Sequence, residues 1–142
     1  MKNLADPYDL QRFVDAQSSV IDRVRSELRA GRKQSHWMWF IFPQMAGLGM
    51  SAMSRRFAIA SIEEARAYLA HPVLGARLRE CVGLLDAVEG RSIHRIMGSP
   101  DDVKLRSSLT LFHQAADDPA IFRKALDKYY GGAFDPLTLE RM

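Results

Sequence analysis

Apolar positions recur at helical spacing almost from the start of the chain. Leu10, Phe13, Val14, Gln17, Ile21, Val24 and Leu28 step by roughly three and four, which predicts one face of a helical segment, and Gly31 follows as a natural C-terminal cap. Ser61-Ile62-Glu63-Glu64 has the form of a capping box, in which the serine oxygen takes the amide three residues on and Glu64 reaches back. That helix is expected to run to about Ala70, where His71-Pro72 breaks it, and Pro72 suits the first position of the next helix because its missing donor is not needed there. Val73, Leu74, Leu78, Cys81, Val82, Leu85 and Val88 give the next helix a broad buried face, closed by Gly90. Ser92 opens a short turn ending at Gly98. Ser99-Pro100-Asp101-Asp102 repeats the logic of cap, proline and early acid, predicting a helix from Pro100 to about Ala116. Asp118-Pro119 starts another, with Ile121, Phe122, Leu126 and Tyr129 inward and Gly131-Gly132 at its end; Asp135-Pro136 starts a short final one. No segment shows sustained alternation of β-branched residues between turn signals. The expectation is an all-α fold: a compact, multihelical single domain over residues 1–142, with six to eight helices and a short buried aromatic segment.

That segment breaks the amphipathic rule. Ser35-His36-Trp37-Met38-Trp39-Phe40-Ile41-Phe42-Pro43-Gln44 holds both tryptophans of the chain. Six consecutive apolar residues followed by proline read as a short helix or extended piece buried on all sides. The loop Met45-Ala46-Gly47-Leu48-Gly49-Met50-Ser51 is too apolar for a solvated linker and is expected to fold back over the core. Aromatic runs usually fill cores, and a lone histidine such as His36 is more often hydrogen-bonded than catalytic. The polar company of this run is what singles it out: Arg32, Lys33, Ser35 and His36 precede it and Gln44 follows. Apolar walls with a few placed polar groups are what a small-molecule pocket needs, and an indole beside a guanidinium suits a planar aromatic or nucleobase-like ligand.

A second candidate lies in the predicted helix from Pro100 to His113. Leu105, Leu109 and Phe112 share one face, while Lys104, Ser108 and Leu111 share another. Asp102 and Arg106 are spaced for an i,i+4 pair. The free amides at the helix start would attract an anion, but Asp101 and Asp102 occupy that place and repel it. Lys104, one turn in, is the better functional charge, set against the plain alternative of a solvated face.

Composition narrows the classes. Hydrophobic residues make up 47% and charged residues 26% of 142, a globular balance. The lone Cys81 sits in an apolar stretch and reads as a buried inert thiol. With no signal-peptide pattern and no run approaching the ~20 apolar residues that cross a bilayer, the expected setting is the cytoplasm, with no membrane partner. His36, His71, His94 and His113 lack metal-type spacing, and no phosphate-binding glycine loop, nucleophile elbow or HExxH motif is present, so no metal and no cofactor is predicted. Oligomeric state stays open, because apolar helix faces serve a core or a dimer equally well.

Several runs resemble the bacterial family catalogued as domain of unknown function 1810. They include residues 12–17, residues 31–44, Gly47-Leu48-Gly49 with Ser51, Ala67-Tyr68-Leu69 with His71-Pro72, and Leu74-Gly75 with Arg77-Leu78. Lys104-Leu105-Arg106-Ser107-Ser108 with Thr110-Leu111-Phe112, and Asp135 with Thr138-Leu139, complete the likeness, which spans about Asp9 to Leu139. Met45 and Leu109 are conservative departures. The resemblance implies no established activity. Some members carry the label calpastatin, but that inhibitor is an extended, disordered chain and this sequence is compact. The stretch from Asp102 to Phe112 is also similar to the NADAR group of helical proteins, linked to ADP-ribose and N-glycosidic chemistry, although no catalytic residue carries across individually.

The leading expectation is therefore a pocket protein for a nucleotide- or ADP-ribose-like small molecule, extending to N-glycosidase chemistry. Trp37 or Trp39 would hold the base, Arg32 and Lys104 would neutralise phosphates, and Asp102 or Gln44 would orient water or the ribose, with His36 a further ligand-binding candidate. Lys104 and Asp102 are the candidate catalytic pair. The alternatives are a noncatalytic protein-interaction module and nucleic-acid binding through Arg29, Arg32 and Lys33. The last is disfavoured, because 20 basic residues are interleaved with 17 acidic ones for a net charge of +3, and only that short cluster is dense. Accordingly, filter-binding assays at physiological salt should detect no submicromolar affinity for DNA or RNA. A tight, steeply salt-dependent complex lost on neutralising Arg29, Arg32 and Lys33 would overturn this.

Overall fold

The computed structural model describes residues 5–142. In chain order its helices are α1 (Gln11–Ser18), α2 (Ile21–Ala30), α3 (Met38–Ile41), α4 (Ala52–Arg56), α5 (Ile62–Ala70), α6 (Leu74–Ala87), α7 (Ile93–Met97), α8 (Asp101–Ala115), α9 (Ala120–Tyr130) and α10 (Pro136–Glu140). Among the described residues there is no strand, only an isolated parallel bridge between Met45 and Ile59. No helix among them is long and apolar enough to cross a membrane. The all-α expectation holds. The number of helices, ten among the described residues, exceeds the expected range because α3, α4, α7 and α10 are single-turn pieces whose periodicity is too short to read.

The first predicted segment is split. Ser18 Oγ donates back to the Val14 carbonyl at 2.7 Å, and β-branched Val20 leaves the helical region with φ −124°. A hydroxyl competing for an i−4 carbonyl loosens a helix at that turn, and the chain restarts as α2 with the same face still inward. The caps largely follow the sequence signals. Ser51, Ser61 and Ser92 each accept the amide three residues on, and Gly31 and Gly131 close α2 and α9 in the left-handed conformation. Four starts differ from expectation. Glu64 takes the Ala60 amide and the Arg12 guanidinium instead of completing the capping box. His71 Nδ1 accepts from the Val73 and Leu74 amides at 3.1 and 3.2 Å, so a histidine rather than Pro72 opens α6. Pro100 and Pro119 flank their helices as caps, and Pro136 alone of these prolines occupies a first helical position.

Helix α8 is the axis of the fold. It packs against α5, α7, α9 and α10, and every residue from Ser107 to Phe112 is buried. A chain of ring contacts, Phe13 to Tyr68 to Phe112 to Phe122 at centroid separations of 5.1, 5.2 and 6.2 Å, runs from α1 through α5 and α8 to α9. Cys81 is fully buried, and burial pushes its thiol up to about 12, which leaves it protonated and inert as expected.

Helix α3 is held by polar groups that the core encloses. The buried Glu27 carboxylate accepts from the Gln34 and Ser35 amides at 2.8 and 3.0 Å, from Ser35 Oγ at 2.6 Å and from Trp37 Nε1 at 3.0 Å. Next to it, Lys33 donates its amide to the Ile96 carbonyl and pairs its ammonium with Asp101 at 2.9 Å. From the other side Gln17 Nε2 donates to the Phe40 carbonyl at 2.7 Å and to Tyr68 Oη at 3.0 Å.

Burial alone would raise the Glu27 pKa, but the donors from Ser35, Gln34 and Trp37 outweigh it and hold the group at about 2 against an ordinary 4.5. A depressed folded-state pKa contributes stability that is present above the unfolded value and lost as pH falls through the folded one. The window here lies between about 4.5 and about 2. Glu27→Gln removes an acceptor and turns an amide toward existing donors, so it should lower unfolding free energy at pH 7 by about 2–3 kcal/mol. Urea titrations at several pH values should show the wild type losing stability through this acid window and the variant changing less.

Candidate functional site

The clamp at Glu27 and the anchor at Gln17 fix which way each residue of the aromatic run faces. Trp37, Met38, Phe40, Ile41 and Phe42 go into the core, and Trp39 is left half-buried at the surface. Across from it, Lys104 on α8 carries its ammonium 5.8 Å from the Trp39 ring centroid, within cation–π range. Among the described residues that ammonium makes no ion pair and no hydrogen bond.

Two adjoining hollows open here and share Gln44 and Gly49 in their walls. One, of about 140 Å³, is bounded by Trp39, Gly47, Ser54 and Arg55. The other, of about 170 Å³, is bounded by Lys104, Ser107, Asp135 and Leu137. The cleft thus joins the two regions singled out in the sequence. It brings together an indole, a carboxamide, an ammonium and a carboxylate.

The carboxylate was not among the sequence candidates. Asp135 accepts from Ser107 Oγ at 2.7 Å and from Thr138 Oγ1 at 2.6 Å, while its amide donates to Thr110 Oγ1 at 2.9 Å. Arg106 steadies the preceding segment by donating to the Phe134 and Ala133 carbonyls at 2.5 and 3.2 Å. Burial raises the Asp135 pKa, but the bonds from Thr138 and Ser107 and the nearby Arg106 charge more than offset it, so the group sits below the usual carboxylate range and is ionised at neutral pH. A signal was present in the sequence: Ser107, Ser108 and Thr110 occupy buried positions of a central helix, where apolar residues would otherwise stand. Buried hydroxyls of this kind need partners, and Asp135 is the partner of two of them. The Ser108 hydroxyl is buried without one among the described residues.

The remaining sequence candidates fall elsewhere. Trp37 is 1% exposed, bonded to Glu27 and covered by the Lys33 ammonium at 4.8 Å, so it is a core residue. Arg32 and His36 are exposed and border neither hollow. Asp102 lies 3.1 Å from His94 Nδ1 and also borders neither hollow. Two residues apart on a helix, Asp102 and Lys104 cannot face one site. Nor does Asp102 pair with Arg106, whose guanidinium is taken by the carbonyls before Asp135.

A family model described as protein of unknown function (DUF1810) matches residues 7–142. No curated protein matches the chain. Among solved structures, the chain is similar to the conserved hypothetical protein Rv1873 from Mycobacterium tuberculosis, at 56% identity and a TM-score of 0.94, with 95% of this chain and 96% of that one covered.

The different burial of the two indoles gives a direct check. Trp37→Ala should cost about 3–5 kcal/mol, as expected for a fully buried ring. Trp39→Ala should cost only about 1–2 kcal/mol, since much of its surface already meets solvent. Urea unfolding of both variants measures the contrast.

Proposed function

We propose that this chain, which belongs to the family described as protein of unknown function DUF1810, binds a small nucleotide-like molecule in the cleft between Trp39 and Lys104. The observation that carries the reading is the Lys104 ammonium, unpaired and held beside an indole at the wall of a concave, mostly apolar site. A cation kept without a counter-ion next to an aromatic face suits a ligand that is planar at one end and anionic nearby. Gln44 and the ionised Asp135 are suited to the hydroxyl groups of a sugar, which need acceptors as well as donors.

Size discriminates between ligands. The two hollows, about 140 and 170 Å³, together reach only the lower end of ordinary ligand pockets, roughly 300–1,000 Å³. A nucleoside monophosphate or ribose phosphate matches that space, whereas a whole ADP-ribose would leave half of itself outside. In the hydrolytic form of this proposal, Asp135 takes a proton from water adding to the anomeric carbon while the C–N glycosidic bond breaks, and the departing base is protonated from solvent. An acid held in its ionised form suits the base role and not the donor role. The alternative, a noncatalytic interaction module, is favoured by Val103 and Leu137, apolar side chains 62% and 58% exposed that border the same hollow.

Thermal-shift measurements with nucleoside monophosphates test the proposal. A ligand at 100 times its dissociation constant stabilises by roughly 2.7 kcal/mol, which raises Tm by several degrees. Lys104→Ala should leave the unliganded Tm nearly unchanged and abolish the shift, while Arg32→Ala should keep it. Full ligand stabilisation of the Lys104 variant would remove the site from this cleft.

A further inference from the structure

The geometry points to a phosphate-binding end of this cleft, built by the Gly47–Gly49 loop with Arg55 and Arg141, so that the ligand carries a terminal phosphate monoester. The inference rests on the nucleotide-like reading above and names which part of the ligand sits where. Unpaired surface cations are common in this chain. What distinguishes Arg55 and Arg141 is that one lines the hollow that Gly47 borders and the other lies across Gly47 itself.

The hollow bounded by Trp39, Gly47, Ser54 and Arg55 has no acidic residue in its walls. Arg141 comes from the far end of the chain to lie across Gly47, so closely that a Cβ on that glycine would collide with its guanidinium. Gly47 has φ +92°, which only glycine adopts without strain. The absence of a side chain here therefore serves both the backbone turn and the seating of the arginine. Neither the Arg55 nor the Arg141 guanidinium has an ion-pair or hydrogen-bond partner among the described residues.

The backbone adds donors. The amides of Gly47, Gly49 and Met50 make no hydrogen bond among the described residues. Ser54 Oγ accepts from Ser51 Oγ at 2.9 Å, which leaves its own proton free for a third group. Arg55 in the wall, Arg141 across Gly47, the free loop amides and the Ser54 hydroxyl make the edge of a hollow without carboxylates rich in donors. A phosphate dianion, with acceptors on every side, complements it. Because Gln44 and Gly49 belong to both hollows, a phosphate seated here remains within one small molecule's length of Lys104 and Asp135.

Amide NMR titrations separate this inference from the reading beneath it. Inorganic phosphate at millimolar concentration should move the Gly47, Gly49 and Met50 resonances. The shifts should vanish in Arg55→Gln/Arg141→Gln and persist in Arg32→Gln, which also loses a cation but lies outside the cleft. Ribose 5-phosphate should bind at least tenfold more tightly than ribose. The inference is overturned if phosphate leaves the loop resonances unmoved, if the double variant keeps the shifts, or if ribose 5-phosphate and ribose bind alike. Equal binding of the two sugars in the Trp39–Lys104 cleft would sink the phosphate site and leave the nucleotide-like reading standing. Loop shifts with phosphate, but none at Trp39 or Lys104 with any nucleotide, would do the reverse.

Discussion

One buried carboxylate sets the arrangement around the cleft. Glu27 gathers two backbone amides, a hydroxyl and an indole N–H, all from residues 34–37. A single group binding four donors from three residues of one four-residue stretch fixes the path of that turn, and with it the rotation of α3. Trp37 is pulled inward by its own N–H, and on a four-residue helix that leaves Trp39 facing out toward α8. Lys33 extends the constraint: its amide on Ile96 and its ammonium on Asp101 tie the turn to α7 and to the first turn of α8. Lys104, farther along α8, therefore stands at a defined distance from Trp39. Charge-assisted hydrogen bonds in a low-dielectric interior are strong enough to hold such a relation and costly to break.

The opposite end of the cleft is organised by a second acid. Asp135 bridges Ser107 on α8 and Thr138 on α10, and Arg106 secures the chain just before it. Both acids sit below their ordinary pKa because donors surround them. Asp86 is the contrasting case. Its carboxylate oxygens are buried without hydrogen-bond partners among the described residues, and burial raises its pKa against the opposing pull of Lys124 and Lys128. Glu27, through the turn that sets Trp39, and Asp135, in the opposite wall, thus each order one side of the cleft by hydrogen bonds.

Helix-level structure was legible in the residues because it is local. The serine caps at 61 and 92, the glycine closures at 31 and 131 and the inward faces of α6 and α9 follow from spacing and backbone freedom within a few residues, and the resemblance to the DUF1810 family was carried by contiguous runs of the same kind. The aromatic segment and Lys104 were picked out for a related reason: local composition violates what an amphipathic helix needs. The break at Ser18–Val20 was missed because the apolar period continues across it, and periodicity reports which face is buried, not whether the backbone is continuous. His71 as the start of α6 was missed because imidazole capping has a weaker local signature than proline.

The composition of the site was a tertiary matter. Which indole is core and which is wall depends on Glu27, ten residues before Trp37, and on Gln17, 23 residues before Phe40. The entry of Asp135 depends on hydroxyls 28 and 25 residues away, and the seating of Arg141 on Gly47 spans most of the chain. Residues that sequence placed together, Asp102 and Lys104, are turned apart by helical geometry. Period and capping are properties of a few consecutive residues and are fixed by the order of amino acids. Convergence of side chains from distant segments is fixed only when the core closes, because the packing that aligns α3, α8 and α10 is decided by all of their contacts at once.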